Sequence, residues 1–164
     1  MSLDRFRHGV EIGASPAAIW PFLVEPALVH RWSEGRAVIE PDPQFPNLGS
    51  WAVVRVQAGG VSTWRARVAE LLPPRRLRLE LEGFQGLQGV RAQLALELEE
   101  WVHTTQLRWA VDLPLRGSSR QLTAALGARL GAPCSRVLAR RLLRRLRDAV
   151  EGPEARERRR LGLL

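Results

Sequence analysis

From Trp51 to Val111 apolar side chains keep returning at every second position, and from Ser119 to Val150 they return at every third or fourth. The first repeat belongs to strands with one buried face, the second to an amphipathic helix. One alternating segment comes earlier: Phe6, His8, Val10 and Ile12 take one face, and Arg7, Gly9 and Glu11 the other. The chain thus reads as one strand, a short helical stretch, a long run of strands and one closing helix. Such a sheet must curl around something, and a long amphipathic helix arriving last can plug it. The order predicts an α+β domain that encloses an apolar cavity, and so a binding function.

Local signals fill in the path. Ser15 suits an N-cap and Pro16 the first helical position, where its missing N–H costs nothing. Ile19, Trp20, Phe22 and Leu23 then form an apolar helical face, which Pro21 keeps short or kinks. Pro26 opens a second short turn ending at Trp32. Three prolines, Asn47 and Gly49 make 41–50 a loop. Gly59-Gly60 signals a hairpin between Trp51–Ala58 and Val61–Leu72, and Pro73-Pro74 ends the second strand. Arg76–Glu82, Val90–Trp101 and Thr105–Val111 alternate in turn. Leu122, Leu126, Leu130, Val137 or Leu138, Leu142, Leu146 and Val150 form the stripe of the closing helix, with a kink expected at Gly131-Ala132-Pro133. Gly152-Pro153 stops it. Residues 1–151 therefore form one domain, and 152–164 a charged, frayed tail.

Length and composition set bounds. A chain of 164 residues suits one domain. No apolar run reaches the ~20 residues of a membrane span. Met1 to Arg5 carries no apolar signal region, and the single cysteine, Cys134, cannot make an internal disulfide, so a cytoplasmic protein is expected. All 25 basic residues are arginine, which points to a coding bias more than to 25 chosen sites. Residues 1–115 hold 12 Arg against 13 Asp and Glu, whereas residues 116–164 hold 13 against 4. The excess charge sits on the closing helix and tail.

The order and several phrases together resemble the SRPBCC superfamily, the START-like helix-grip proteins related to birch-pollen allergens and polyketide cyclases. The phrases are Val10 to Trp20, Pro26 to Trp32 and Val68 to Leu77. The closing segment, Leu122 to Leu130 and Ala139 to Val150, looks most like the branch named for the G component of carbon monoxide dehydrogenase. The resemblance spans residues 4–151. It implies a curved antiparallel sheet gripping the last helix, with a cavity between them. Members of the superfamily bind lipids, sterols, polyketides, quinones or plant hormones, and some catalyse cyclisation or hydrolysis. The His/His/Asp iron set of the Rieske oxygenase branch is missing here.

Candidate residues follow from chemistry. Indole rings give large apolar area with one N–H donor, which suits an apolar pocket with few polar anchors. Trp32, by resemblance, flanks the cavity mouth. Trp51, Trp64, Phe84 and Trp109 are expected to line the pocket, with His8 as a polar contact, although simple core packing is the commoner fate of any one tryptophan. His8, His30 and His103 share no metal-ligand spacing, so neither metal nor cofactor is expected. Glu80, Glu82, Glu99 and Glu100 fall on outward faces, and no catalytic arrangement is legible. The Gly83–Gly89 stretch lacks the Gly-Lys-Ser/Thr ending of a phosphate loop.

The expected function is binding of a small hydrophobic molecule, as carrier or sensor. A rival reading is an assembly or recruitment factor docking on an acidic protein or an anionic membrane through Arg140, Arg144 and Arg147. No aromatic residue interleaves that stripe, so nucleic acid is not the expected partner. The third reading is a cyclase or hydrolase using the same cavity.

Overall fold

Ser15 fixes the point where the first strand gives way to helix. The computed structural model describes residues 3–57, 61–84, 89–114 and 136–163. Strand β1 (Leu3–Ile12) is followed by helices α1 (Pro16–Val24) and α2 (Pro26–Trp32). The Ser15 hydroxyl accepts the Ala18 N–H at 3.3 Å, and Pro16 occupies the first turn. Helix α1 closes after nine residues, where the Glu25 N–H bonds the Pro21 carbonyl at 2.9 Å. Pro26 restarts the helix in a new direction. The Trp32 indole N–H donates to the Phe22 carbonyl at 2.8 Å, which fixes α2 against α1.

Six more strands complete a seven-stranded antiparallel sheet: β2 (Ala37–Pro41), β3 (Trp51–Gln57), β4 (Val61–Leu72), β5 (Arg76–Phe84), β6 (Arg91–Glu100) and β7 (Thr105–Pro114). Their order is β1-β7-β6-β5-β4-β3-β2, so the first strand and the shortest one form the two edges. The expected loop at 41–50 lies between β2 and β3. Strand β2 itself was not anticipated, because Ala37-Val38-Ile39-Glu40-Pro41 shows no alternation. It exists through pairing with β3, from Ala37 opposite Val56 to Pro41 opposite Ala52. The Gly59-Gly60 hairpin and residues 85–88 of the glycine-spaced turn lie outside the described residues.

The register settles which side chains share the inner face. His8 stands opposite Trp109, Trp109 opposite Leu96, Leu96 opposite Leu77, and Leu77 opposite Leu71. One row over run Val111, Leu94, Leu79 and Val68. Between Val68 and Glu70 the register shifts by one residue. That bulge keeps both Val68 and Leu71 turned inward although they are three apart, and it sharpens the curl of the sheet. The outer face carries cross-strand ion pairs, among them Arg76–Glu97 at 3.3 Å and Arg108–Glu99 at 2.6 Å.

Helix α3 (Arg136–Arg160) closes the curl, packing on β1, α1 and α2. Ala139, Leu143 and Leu146 are buried, with Val150 against the same core of Ile12, Ile19, Leu77 and Leu107. Each fully buried leucine contributes about 1.5–3 kcal/mol of apolar transfer. The inward seam is thus 139, 143, 146 and 150. Val137 is exposed and Leu142 half-buried, so the expected stripe is shifted in its first turns. Leu122, Leu126, Leu130, the 131–133 kink and Cys134 lie outside the described residues.

Two expectations about the chain's end need correction. Gly152 does interrupt the helix, with φ 81 and ψ 179, a conformation essentially reserved for glycine. The chain then resumes as helix to Arg160 instead of fraying. Gly162 N–H bonds the Arg159 carbonyl and Leu163 N–H the Arg158 carbonyl, which closes the helix in a Schellman motif. The second correction is Arg147. Its position four residues after Leu143 places it on the flank of the buried seam, half-buried, with Nε 3.8 Å from Asp148. It does not stand in an exposed stripe with Arg140 and Arg144, which are exposed.

Candidate functional site

The inner face divides into two zones. Near the end carrying α1 and the close of α3, Ile12, Leu77, Leu98, Leu107, Leu143 and Leu146 pack into a fully buried core. Toward the other end, Trp64, Ala92 and Val111 form a second cluster, with Leu81, Val90, Leu94 and Trp109 packed against it. Trp64 is 5% exposed and stands opposite Gly83 across the β4–β5 ladder. The missing side chain at Gly83 leaves room on the inner face for the indole.

Across both zones runs a band of inner-face side chains that pack on these clusters but stay half-buried. They are His8 and Val10 on β1, Trp109 on β7, Leu94 and Leu96 on β6, Leu81 on β5 and Val54 on β3. These side chains are less buried than Ile12, Leu77 and Leu107, and their residual exposure is inner-face surface that a guest could cover. The polar group in this band is His8, whose ring lies 5.6 Å from the Trp109 ring at a tilt of 34°. An imidazole can donate or accept one hydrogen bond without carrying charge. The lining is otherwise hydrocarbon and indole, which suits an apolar guest with one polar end.

The expected site residues therefore separate. His8, Trp64 and Trp109 share the inner face, and His8 with Trp109 form a contact pair. Trp32 lies on α2 beside the main core, with its N–H already committed to the Phe22 carbonyl. Trp51 and Phe84 are corrections. Trp51 is 41% exposed, opposite Arg67 on the outer face, with the Arg65 guanidinium 5.2 Å above its ring. Strand β3 is apolar on both sides, so alternation could not tell which face was inner; pairing with β4 decides it. Phe84, 40% exposed, follows Gly83 in the strand and so takes the outer face, opposite Thr63. Leu94 and Leu96 share this inner face, as their even positions in β6 beside Ala92 and Leu98 indicate.

A mixed-charge groove of about 810 Å³ runs along Arg75, Arg76, Glu97, Glu99 and Arg108, outside the curl. Asp42 caps the loop before β3, accepting N–H bonds from Trp51 at 2.9 Å and Gln44 at 2.7 Å. The Trp51 bond chiefly holds its carboxyl below the ordinary range. Among the described residues no three His, Cys, Asp or Glu side chains group as metal ligands. No described helix is long and apolar enough to cross a membrane.

A curled seven-stranded antiparallel sheet, two short helices after its first strand and a long helix laid across it define a helix-grip protein. The sequence matches the family model for polyketide cyclase/dehydrase and lipid transport proteins over residues 4–151, and the chain belongs to that family. The match is to the family as a whole and does not assign the branch named for the G component of carbon monoxide dehydrogenase. No functionally curated protein matches the chain. Solved structures carry the same fold. The major latex-like protein 151 of Panax ginseng superposes with TM-score 0.69 at 12% identity, covering 92% of this chain and 99% of that one. A protein from Chromobacterium violaceum gives 0.63 at 14% identity, covering 91% and 99%. DynU16, from the dynemicin biosynthetic locus, gives 0.56 at 21% identity, covering 87% of this chain and 47% of that one. At these identities the likeness concerns fold alone.

Proposed function

We propose that this protein holds a small, largely apolar molecule between the concave face of its sheet and the closing helix, as a carrier or sensor. The observation that carries the reading is the half-buried band from Val54 to His8, which crosses the inner face and offers apolar surface for a guest to cover. Apolar contact supplies most of the affinity, at about 25 cal/mol per Å² of surface removed from water. Trp64 and Trp109 form the walls, and His8 orients the guest's polar end. The family's lipid-transport membership supports a lipid, quinone or polyketide-like guest.

Native mass spectrometry of freshly purified protein tests this. The expected spectrum shows the chain with an apolar molecule bound, or acquiring one after incubation with a lipid extract. A bare chain under both conditions contradicts the reading.

A further inference from the structure

Helix α2 ends in an unusual way. Gly35 N–H bonds the His30 carbonyl at 2.8 Å and Glu34 N–H bonds the Arg31 carbonyl at 3.2 Å. This is a Schellman ending, in which the residue after the cap adopts the left-handed conformation and is normally glycine. Here that residue is Glu34, at φ 54, while the glycine comes one position later. A glutamate Cβ is disfavoured there by contact with the backbone carbonyl. Glycine at position 34 would relieve it, so some other interaction must account for the side chain.

That interaction is with the closing helix. Arg145 Nη2 lies 3.1 Å from the Glu34 carboxylate, and its Nη1 donates to the Ser33 carbonyl at 3.4 Å. Ser33 is fully buried, and its hydroxyl accepts the Ala37 N–H at 3.0 Å. The turn is therefore rigid in itself, and Arg145 grips it at two points. Its place in the fold gives the grip a consequence. Strands β1 and β2 are the two edges of the sheet. Helix α3 leans on β1, and the turn bearing Glu34 leads directly into β2. The Glu34–Arg145 pair thus ties the β2 edge to the helix that rests on the β1 edge.

We propose that Glu34 and Arg145 form a clasp across the open side of the curl, and that its release admits and discharges the guest. The clasp rests on the ligand reading above. An ion pair of this partial exposure is worth about fivefold in an opening equilibrium. The test follows uptake and release of cis-parinaric acid by stopped-flow fluorescence in wild type, Glu34→Gln, Glu34→Gly and Arg145→Gln. Hydrogen exchange across 33–38 is measured in parallel.

All three variants should exchange the fatty acid about fivefold faster in both directions, with the equilibrium affinity within about twofold of wild type. Amide protection in the turn should fall in the Gln variants. Glu34→Gly should melt no lower than Glu34→Gln, because it also sheds the left-handed strain. Unchanged rates in a wild type that binds the fatty acid overturn the clasp alone. Unchanged protection does the same. No binding by wild type overturns the clasp and the ligand reading together.

Discussion

Leu146→Ala is expected to cost about 2–5 kcal/mol of folding free energy, the range for emptying a leucine site in a close-packed core. Leu146 is 1% exposed and lies where α3 meets β1, α1 and the middle of the sheet. The site cannot collapse easily, since its walls belong to a curled sheet and two helices held by separate hydrogen bonds. A loss of that size is a large share of the 5–15 kcal/mol typical of a domain. Urea unfolding gives the value directly. Val137→Ala, on the exposed side of the same helix, is the control and should stay within about 0.5 kcal/mol. Equal effects at the two positions would mean that the seam 139, 143, 146 and 150 is misplaced.

The second large effect is expected at Glu151. Its side chain is only 3% exposed, yet it is a carboxylate. It accepts the Gly13 N–H at 2.7 Å, in the turn between β1 and α1, and it pairs with Arg159 at 2.7 Å. One residue thus joins the first turn of the chain, the end of the closing helix and the helix beyond Gly152. A β-carbon on Gly13 would come within 3.3 Å of that carboxylate, so glycine is what lets the turn approach so closely. Removing the carboxylate returns the exposed Gly13 N–H to water and leaves an arginine that is two-thirds buried without its partner, and Glu151→Ala should cost about 2 kcal/mol. Glu151→Gln keeps an acceptor for Gly13 and should cost less. Ending the chain after Glu151 deletes Arg159 and leaves a buried carboxylate with one donor, so it too should lower the urea midpoint. A truncation with no effect would return 152–164 to the status of a frayed tail.

Much of this architecture could be read from residue periodicity, because period two and period three-to-four each have one structural meaning on a half-buried element. The inward set His8, Val10, Ile12, Leu77, Leu79, Leu94, Leu96, Leu107, Trp109 and Val111 follows from alternation alone. Alternation fails where both faces are apolar, and Trp51 fell on the wrong face for that reason. Phe84 was misplaced because Gly83–Gly89 was read as a turn, whereas the alternation of Leu77, Leu79 and Leu81 carried on through Gly83 puts Phe84 outward. Strand β2 was illegible because five residues without alternation carry no signal until β3 pairs with them. The tail was misjudged because Gly152-Pro153 was read as the end of the helix, whereas the chain resumes as helix to Arg160. Nothing local in Glu151 or Arg159 reveals that each is half of a pair reaching back to Gly13. The clasp at Glu34 is equally non-local, since its partner lies 111 positions further along the chain.

The central claim is that the guest sits on the inner face, against Trp109 and His8, and nowhere on the outer one. A titration of cis-parinaric acid into wild type, Trp109→Ala and Trp51→Ala decides it, with circular dichroism confirming that each variant is folded. Both tryptophans lie on strands of one sheet, and they differ in the face they occupy. The account predicts that Trp51→Ala binds like wild type, within about twofold, and that Trp109→Ala binds at least about tenfold more weakly, as expected for losing most of an indole's contact area. Weakened binding in Trp51→Ala with Trp109→Ala unaffected would contradict it, and would move the site to the outer face.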